Sequence, residues 1–555
     1  MAKYIFLMLI MALKVSVSYE SDRCSIDLVS NCWRNDLRSC KGLDLSILCP
    51  NSMVCDAQTD TYPCFKCETI FLLCGDVRSQ KAELSTSLRN CKVNSKPLTY
   101  SIELTAKNYP IIRNGAFARE NIAYLDLSNN KIELVEGTAF DFILGLKDLN
   151  LNGNHLVNVS FGNKTKRIEI VSISANRLKF VNRDSFWSLF DLRFLNLESN
   201  RIEFIHGQAF SLNRQLRTVF LLNNKIKDIQ FKSSSLICLN FEVNLLEKLV
   251  NRTFNGFSSL QFLSLSGNFI NIIEKDAFFG ISRGIQKLNL DDNKLESIEV
   301  EYFQNENLRS LKSLDLSENK IEFVNKESFK LLTNLNILNL KSNKIKHLKS
   351  NNFDNLSSLT SLDLSNLMLV QLNASEIFSG MIKLKSLLLN SNSLEMLANQ
   401  TFLGLNELEF LNLESNLIES IEVNAFKGLF KLANLYMKLN LVSTLRDYTF
   451  DDLTSVIVLD LGENRINRIE KNAFAGISKS LNYLYMSKNK LQFIKITHFK
   501  DLANLLRLDL SDNQISSIQM GSFDGIVNLV WLNLAKNSIF KIEARVFLNQ
   551  VKLKI

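Results

Sequence analysis

The residues of this chain whose type and spacing could do chemistry are, first, its cysteines. The chain has 555 residues and ten cysteines, and nine of them lie between Cys24 and Cys91. The pair Cys64 and Cys67 has the Cys-x-x-Cys spacing of a zinc or redox site. Disulfide bonding is the better interpretation, because an export signal precedes this segment and exported cysteine-dense segments are stabilised by disulfides. The expected disulfide cysteines, with connectivity left open, are Cys24, Cys32, Cys40, Cys49, Cys55, Cys64, Cys67, Cys74 and Cys91.

The rest of the chain has no arrangement typical of catalysis. Ser/His/Asp groups, metal-ligand sets and glycine-rich phosphate loops are absent from the sequence. The basic run from Lys341 to Lys349 is typical of a solvated loop. The net charge of +8 is small for this length and does not favour nucleic acid as a partner. We therefore expect no enzyme, no cofactor and no bound metal. The four histidines lie far apart, at His155, His206, His347 and His498.

The N-terminus has the three parts of a secretory signal. Lys3 is followed by an apolar run over residues 4–13 and by the small residues Ser16, Val17 and Ser18. The run is too short to span a bilayer, and no later run of 18 or more apolar residues occurs. We expect residues 1–18 to be a signal peptide, and the protein to be secreted or to lie on the extracellular face of the plasma membrane.

A single pattern, L-x-x-L-x-L-x-x-N-x-[LI], recurs through most of the chain, usually every 24 residues. A phenylalanine ten residues after the asparagine keeps the same phase in most copies, so two independent marks agree. Counting one copy with Leu367 at the asparagine position and a degenerate first copy near Lys107 yields about 19 copies. The marker asparagines are Asn130, Asn154, Asn176, Asn200, Asn224, Asn244, Asn268, Asn293, Asn319, Asn343, Asn392, Asn416, Asn440, Asn464, Asn489, Asn513 and Asn537.

The constant residues can be explained by burial. In "LRLDL" the leucines Leu508 and Leu510 alternate with Asp509, which predicts a short strand with one buried face. One copy has too little apolar surface to close a core, so copies must stack. The asparagine amide can bond turn backbone that no strand satisfies. The phenylalanine fills the other half of each coil and forms a second stacked row.

This pattern resembles the 24-residue extracellular class of leucine-rich repeats, as in Toll-like, chaoptin-like and Slit-like arrays. "LDLSNNKI" at 125–132 and "NAF" at 424–426 carry the resemblance. It implies an α/β fold: a right-handed solenoid, or horseshoe, with a concave parallel β-sheet and an irregular convex side. It also implies that residues 19–97 are a cysteine-rich N-terminal segment or cap, and that residues 98–555 are the array.

Both ends of the predicted array depart from the family pattern. The N-terminal segment has more cysteines than the family cap. "FLNQVKLKI" at 547–555 starts a further copy without completing it, and no cysteine-rich closing cap follows. We expect either an incomplete gene product, with a membrane anchor standing beyond Ile555, or a chain that ends on an unusual partner.

Ligand recognition is expected from strand residues that point away from the core. Numbering each copy from its first leucine, positions 3 and 5 point outward. In most copies position 5 is small and polar, but the last copies are aromatic and charged. Rigid aromatics with an arginine are typical of binding hot spots, whereas β propensity alone could also explain aromatics in strands. The predicted concave patch contains Phe410, Tyr436, Asp460, Tyr483, Tyr485, Arg507 and Trp531. A weaker group contains Phe194, Phe220 and Phe262.

Two further expectations concern modification. Each of six Asn-x-Ser/Thr sequons falls after a strand, so that glycans would leave the concave face clear. Cys238 is at position 3 of its copy, about 29 Å from the first strand at roughly 4.8 Å per strand. It is therefore expected to have no cap partner unless the long N-terminal segment folds back over the concave face. The glycosylation candidates are Asn158, Asn163, Asn251, Asn355, Asn373 and Asn399.

These observations favour an extracellular protein-recognition module, receptor-like or adhesive, that binds a protein on its concave face. A secreted innate-immune protein that recognises a microbial glycan or lipid is an alternative within the same class. A structural matrix scaffold without a discrete ligand is an alternative of another class, which the aromatic patch disfavours. A homodimer is also compatible with the sequence.

Overall fold

A computed structural model of the chain describes residues 70–72, 100–117, 121–350, 352–372 and 377–554. The described chain forms two compact units. The first runs to Leu178 and includes Asp184–Asn196 and Leu212–Val219; the second contains Lys179–Arg183, Leu197–Ser211 and the chain from Phe220 onward. The predicted signal peptide and the nine clustered cysteines lie outside the described residues and stay predictions.

The second unit is built on short parallel strands, one in each copy of the repeat. Consecutive strands pair in direct register, so Leu459 lies opposite Leu484 and Leu484 lies opposite Leu508. The strands are Cys238–Asn240, Phe262–Ser264, Lys287–Asn289, Ser313–Asp315, Ile337–Asn339, Ser361–Asp363, Ser386–Leu388, Phe410–Asn412, Asn434–Tyr436, Val458–Asp460, Tyr483–Tyr485, Arg507–Asp509 and Trp531–Asn533.

The first unit has the same construction. Its strands also pair in parallel, with one register shift between Tyr100 and Ser101. They are Ile70–Leu72, Tyr100–Glu103, Ile122–Asp126, Asp148–Asn150, Ile170–Ser172 and Phe194–Asn196, and Thr218–Phe220 is a further strand of this type. The predicted parallel-strand solenoid of stacked coils is therefore confirmed.

Two-residue strands and short 3-10 helices complete the coils, and the described residues contain no α-helix. The 3-10 helices are Val300–Tyr302, Glu306–Ser310 and Ala475–Ile477. The short strands pair in parallel as Ile111–Ile112 with Leu134–Val135, Phe180–Val181 with Phe204–Ile205, Lys248–Leu249 with Ile272–Ile273, Ser297–Ile298 with Phe323–Val324, Met396–Leu397 with Ser420–Ile421, Thr444–Leu445 with Arg468–Ile469, and Phe493–Ile494 with Ser517–Ile518.

The leucines of the pattern form the core, as predicted. Leu508 and Leu510 are fully buried, whereas Asp509 between them is only half-buried. Burial of each such side chain contributes about 1.5–3 kcal/mol before the entropy cost of ordering the chain. Since every copy repeats this alternation, the outward residues of positions 3 and 5 form one continuous sheet face within each unit.

The marker asparagines form the predicted ladder. The side-chain Nδ2 of Asn319 donates to the carbonyl of Leu316 in its own copy, at 3.1 Å, and to that of Leu290 in the preceding copy, at 2.9 Å. Its Oδ1 accepts from the backbone N–H of Leu295 at 3.0 Å. Each amide therefore ties one coil to the one before it, and satisfies backbone groups that would otherwise be buried without partners.

The ladder also stabilises a turn that the sequence did not reveal. The residue before each marker asparagine has left-handed backbone geometry: φ is 54° at Glu318 and 58° at Leu439. Most residues adopt this geometry only at a cost of about 1–2 kcal/mol. Only Gly153 and Gly267 among these residues are glycines. We infer that the asparagine hydrogen bonds offset the cost in the other copies.

The phenylalanines form the predicted second row. Phe450 and Phe474 stack with ring centroids 5.9 Å apart and an angle of 4° between their planes. Similar contacts link Phe303 to Phe329 and Phe329 to Phe353. These rings are buried.

One rung of the ladder is missing, at the copy with Leu367. This leucine is fully buried, and Asn392 in the next copy accepts from the N–H groups of both Leu367 and Leu369 at 3.0 Å. The Leu340 carbonyl therefore accepts from the side chain of Asn343, at 2.8 Å, but from no side-chain amide among the described residues of the copy that follows. That this copy is a local weak point stays a prediction.

The expectation that Cys238 has no partner among the cysteines of residues 24–91 is wrong. Its sulfur is disulfide-bonded, and its side chain is 3% exposed. The partner lies outside the described residues, as do the nine other cysteines. The expectation rested on strand spacings, which limit distances within the array but not the reach of the segment before it, about 3.3–3.6 Å per residue when extended.

Candidate functional site

The seven residues of the predicted patch lie on adjacent strands of the second unit, and we call them the aromatic patch. Register pairs Tyr436 with Asp460 and Asp460 with Tyr485 along one row. A second row pairs Tyr483 with Arg507 and Arg507 with Trp531. Phe410 begins the patch, and its ring lies 5.4 Å from that of Tyr436. All seven side chains are half-buried, because they stand on the sheet face.

Arg507 is the cation of the aromatic patch. Its guanidinium lies 3.9 Å from the ring centroid of Trp531 and 6.0 Å from that of Tyr485. No described carboxylate forms an ion pair with it, and its Nε is buried without a hydrogen-bond partner. Stacking between aromatic faces holds the group in place while its charge stays unpaired.

Asp460 is the acidic counterpart. Its Oδ1 accepts from the backbone N–H of Gly462 at 2.8 Å, which is its one hydrogen bond to a described residue. Burial raises the pKa of Asp460 to about 6; the Gly462 N–H and Lys438 oppose this shift, and the negative charges of Glu414 and Asp509 add to it. Burial, followed by the charge of Asp460, also raises the pKa of Tyr436. A half-buried carboxylate between two tyrosines is thus costly to ionise.

The sequence did not predict that the Asp and Asn residues at position 5 have a structural role. In most copies this side chain accepts from the backbone N–H two residues later, as Asp363 does from Ser365 at 2.9 Å and Asn412 from Glu414 at 2.9 Å. The bond closes an Asx turn at the end of the strand. Asp460 forms this turn too, but its Oδ2 accepts no further hydrogen bond from a described residue.

Two lysines beside the aromatic patch share one carboxylate. Glu463 bridges Lys438 and Lys488, with nitrogen–oxygen distances of 3.2 Å to each. The two lysines lower the pKa of Glu463, against the effect of burial. Sequence reasoning missed this bridge, because its members come from three successive copies and Lys438 stands at a different repeat position from Glu463 and Lys488.

Replacing Asp460 by asparagine is expected to stabilise the protein at neutral pH. Asparagine keeps the acceptor for Gly462 and removes the buried charge. Because the pKa of Asp460 is raised in the folded state, ionisation of its carboxyl group destabilises the native state. This destabilisation is complete above about pH 6 and absent below about pH 4. Denaturant unfolding of D460N should therefore show a gain of about 1–2 kcal/mol at pH 7.5 that disappears at pH 4. An equal or larger gain at pH 4 would contradict this explanation.

The other predicted positions are dispersed. Phe194 and Phe262 are half-buried, and Phe220 is 5% exposed, which leaves it little surface for a ligand. Five sequon asparagines are exposed and follow the long strands, as expected, and Asn373 lies outside the described residues. These five are Asn158, Asn163, Asn251, Asn355 and Asn399.

A second polar cluster lies in the first unit. The Tyr124 hydroxyl donates to Oδ2 of Asp126 at 2.9 Å, and Asn150 donates to the same oxygen at 3.0 Å. Burial, and then the charge of Asp126, raises the pKa of Asp148 to about 7. Within the described residues no group of three His, Cys, Asp or Glu side chains could hold a metal ion, and no helix could cross a bilayer.

Comparison with known proteins shows the same repeat. The family model described as "Leucine rich repeat" matches more than half of the chain, at residues 99–156, 166–226, 283–335, 309–369, 382–442, 430–491 and 479–539. Lumican of Gallus gallus is 26% identical over 268 residues, which cover 39% of this chain and 74% of lumican. Leucine-rich repeat-containing protein 3B of Mus musculus is 39% identical over 69 residues, 12% of this chain and 27% of that protein.

Solved structures of two other proteins are similar to this chain. A leucine-rich-repeat protein of Leptospira interrogans is 22% identical, with a TM-score of 0.50 over 81% of this chain and 98% of its own. Toll-like receptor 13 in complex with single-stranded RNA is 21% identical, with a TM-score of 0.43 over 88% and 87% of the two chains. The chain belongs to the leucine-rich-repeat family, whose members are recognition proteins rather than enzymes.

Proposed function

We propose that this protein is an extracellular recognition module, receptor-like or adhesive, that binds a partner protein through the aromatic patch. The observation that carries the proposal is the combination of half-buried aromatic rings with an unpaired guanidinium on rigid adjacent strands. Tyr, Trp and Arg are the residue types that contribute most to binding free energy. Because the strands already hold these side chains, little conformational entropy is lost when a partner binds.

The surroundings of the patch support the same use. Asn399, the exposed sequon asparagine nearest to the patch in the sequence, follows its strand rather than standing at position 3 or 5. A glycan there would leave the sheet face accessible. A matrix scaffold would need no cluster of this kind. Recognition of a microbial glycan or lipid can be tested with those molecules as probes of the variants described next.

A glycan placed inside the patch should block the partner. Ala535→Thr creates a sequon at Asn533, on the strand of Trp531. The Oδ1 of Asn533 accepts from the backbone N–H of residue 535 at 3.1 Å. A glycan is attached to Nδ2, so Oδ1 can keep this hydrogen bond. Protein secreted from glycosylating cells would be used to capture extracellular proteins, with cross-linking and mass spectrometry as the readout. We expect the partner recovered by wild-type protein to be lost.

A matched variant controls for the glycan itself. Asp291→Thr creates the same sequon at Asn289, also at position 5 but far from the patch along the array, and Asn289 forms the same Asx turn at 3.1 Å. This variant should retain the partner. Retention by both variants, each with its glycan verified by mass, would contradict the proposed binding site.

A further inference from the structure

The aromatic patch contains two opposite charges, each set between aromatic side chains and each without an ionic partner. In one row Asp460 lies between Tyr436 and Tyr485. In the other, Arg507 lies between Tyr483 and Trp531. Neither charge forms an ion pair with a described residue, although both are half-buried, where unpaired charge is costly. An arrangement that costs free energy in the unbound protein needs an explanation.

The nearby lysines form no ion pair with Asp460, although the charge of Lys438 lowers its pKa. Lys438 and Lys488 are both bound by Glu463 at 3.2 Å. Asp509, two residues from Arg507, directs its Oδ1 to the N–H and hydroxyl of Ser511 at 3.0 and 2.7 Å. Lys438, Lys488 and Oδ1 of Asp509 are therefore engaged with other groups, and Asp460 and Arg507 remain available to a ligand.

We propose that the aromatic patch binds a protein segment that presents one basic and one acidic side chain about 12 Å apart, the base against Asp460 and the acid against Arg507. This inference rests on the proposed function and specifies the chemistry of the partner. The 12 Å follows from two strand spacings of about 4.8 Å and two residues along the strand at about 3.3 Å each.

Each half of the site suits its ligand. A carboxylate beside tyrosine faces attracts a lysine or arginine by ion pairing and by cation–π contact. A guanidinium stacked on Trp531 keeps its edge free for a carboxylate, which it can bind in a bidentate manner. Residues four apart in an extended segment span about 13 Å on one face, and residues seven apart in a helix span about 10.5 Å. Both geometries match the spacing of Asp460 and Arg507.

Selection from a phage-displayed library of randomised peptides tests this proposal. Wild-type protein should enrich peptides with a base and an acid four or seven residues apart, in one order. Protein carrying Asp460→Lys together with Arg507→Glu should enrich the reverse order. Position 5 tolerates residues that cannot form the Asx turn, since Tyr436 and Tyr485 occupy it, so the exchanged protein should fold. Enrichment of peptides without this charge pair would overturn the proposal.

Titrations with an enriched peptide supply the second test. Asp460→Asn, which keeps the acceptor for Gly462, should weaken binding about tenfold or more, and should have no effect on a peptide whose base is replaced by alanine. Arg507→Gln should behave likewise toward the acid. Matched controls are Asp363→Asn, with the same turn, and Lys287→Gln, a position-3 cation 5.8 Å from the Phe262 ring. Both controls should bind as wild type does.

The outcomes separate this proposal from the proposed function. Peptides that lose affinity on Tyr485→Ala or Trp531→Ala but not on Asp460→Asn or Arg507→Gln would leave the patch as the binding site and refute its charge selectivity. Enriched peptides that are indifferent to all four substitutions would refute both.

Discussion

Asn319→Ala is expected to lower the free energy of unfolding by about 1–3 kcal/mol. The change removes the donors to Leu290 and Leu316 and the acceptor for Leu295, all of which are buried. It also removes hydrogen bonds beside Glu318, whose φ is 54°. Alanine supplies no substitute donor or acceptor. Denaturant unfolding monitored by circular dichroism measures the loss.

Asn334→Ala is the matched control for this experiment. Its amide also donates to a backbone carbonyl of the preceding coil, that of Arg309 at 2.8 Å, but at the exposed surface. We expect a change within about 0.5 kcal/mol, as for most surface substitutions. A loss at Asn319 no larger than that at Asn334 would show that the ladder does not stabilise the array there.

Replacing both Tyr485 and Trp531 by alanine is expected to weaken partner binding by about 2 kcal/mol or more. Trp531 stacks on Arg507 at 3.9 Å, so its loss also frees the guanidinium to move. Both aromatic side chains are half-buried and face outward, and folding should remain nearly intact. Titration of the double variant with the recovered partner, beside its unfolding curve, measures both effects.

Leu484→Ala gives the opposite pattern. Leu484 lies between Tyr483 and Tyr485 in the same strand but points inward and is fully buried. Its truncation should cost about 2–5 kcal/mol of stability, with loss of binding only as far as the fold is lost. Wild-type affinity in a correctly folded Tyr485/Trp531 double variant would mean that the ligand binds elsewhere.

The core of each coil was predictable because one environment is repeated many times. The alternation around Leu508 and Leu510 decides which side chains are buried, and the fixed place of the asparagine implies a constant backbone partner. Once strand positions are assigned, parallel register also predicts which outward residues are neighbours, so Tyr436, Asp460 and Tyr485 could be placed in one row.

Side-chain partnerships were not predictable in the same way. The bridge from Glu463 to two lysines depends on rotamers and on contacts across three coils. The Asx turn gives Asp460 a structural bond in addition to its outward position. The prediction that Cys238 has no cap partner was wrong for another reason. Strand spacing limits distances within the array, but not the reach of a long segment before it.

Hydroxyl-radical footprinting of the wild-type protein, with and without the recovered partner, tests the central claim most directly. It reports solvent access to individual aromatic side chains. We expect bound partner to reduce oxidation of Tyr436, Tyr485 and Trp531, and to leave the exposed Phe323 and Phe493, outside the long strands, unchanged. Protection of Phe323 or Phe493 with none at Tyr485 and Trp531 would contradict recognition through the aromatic patch.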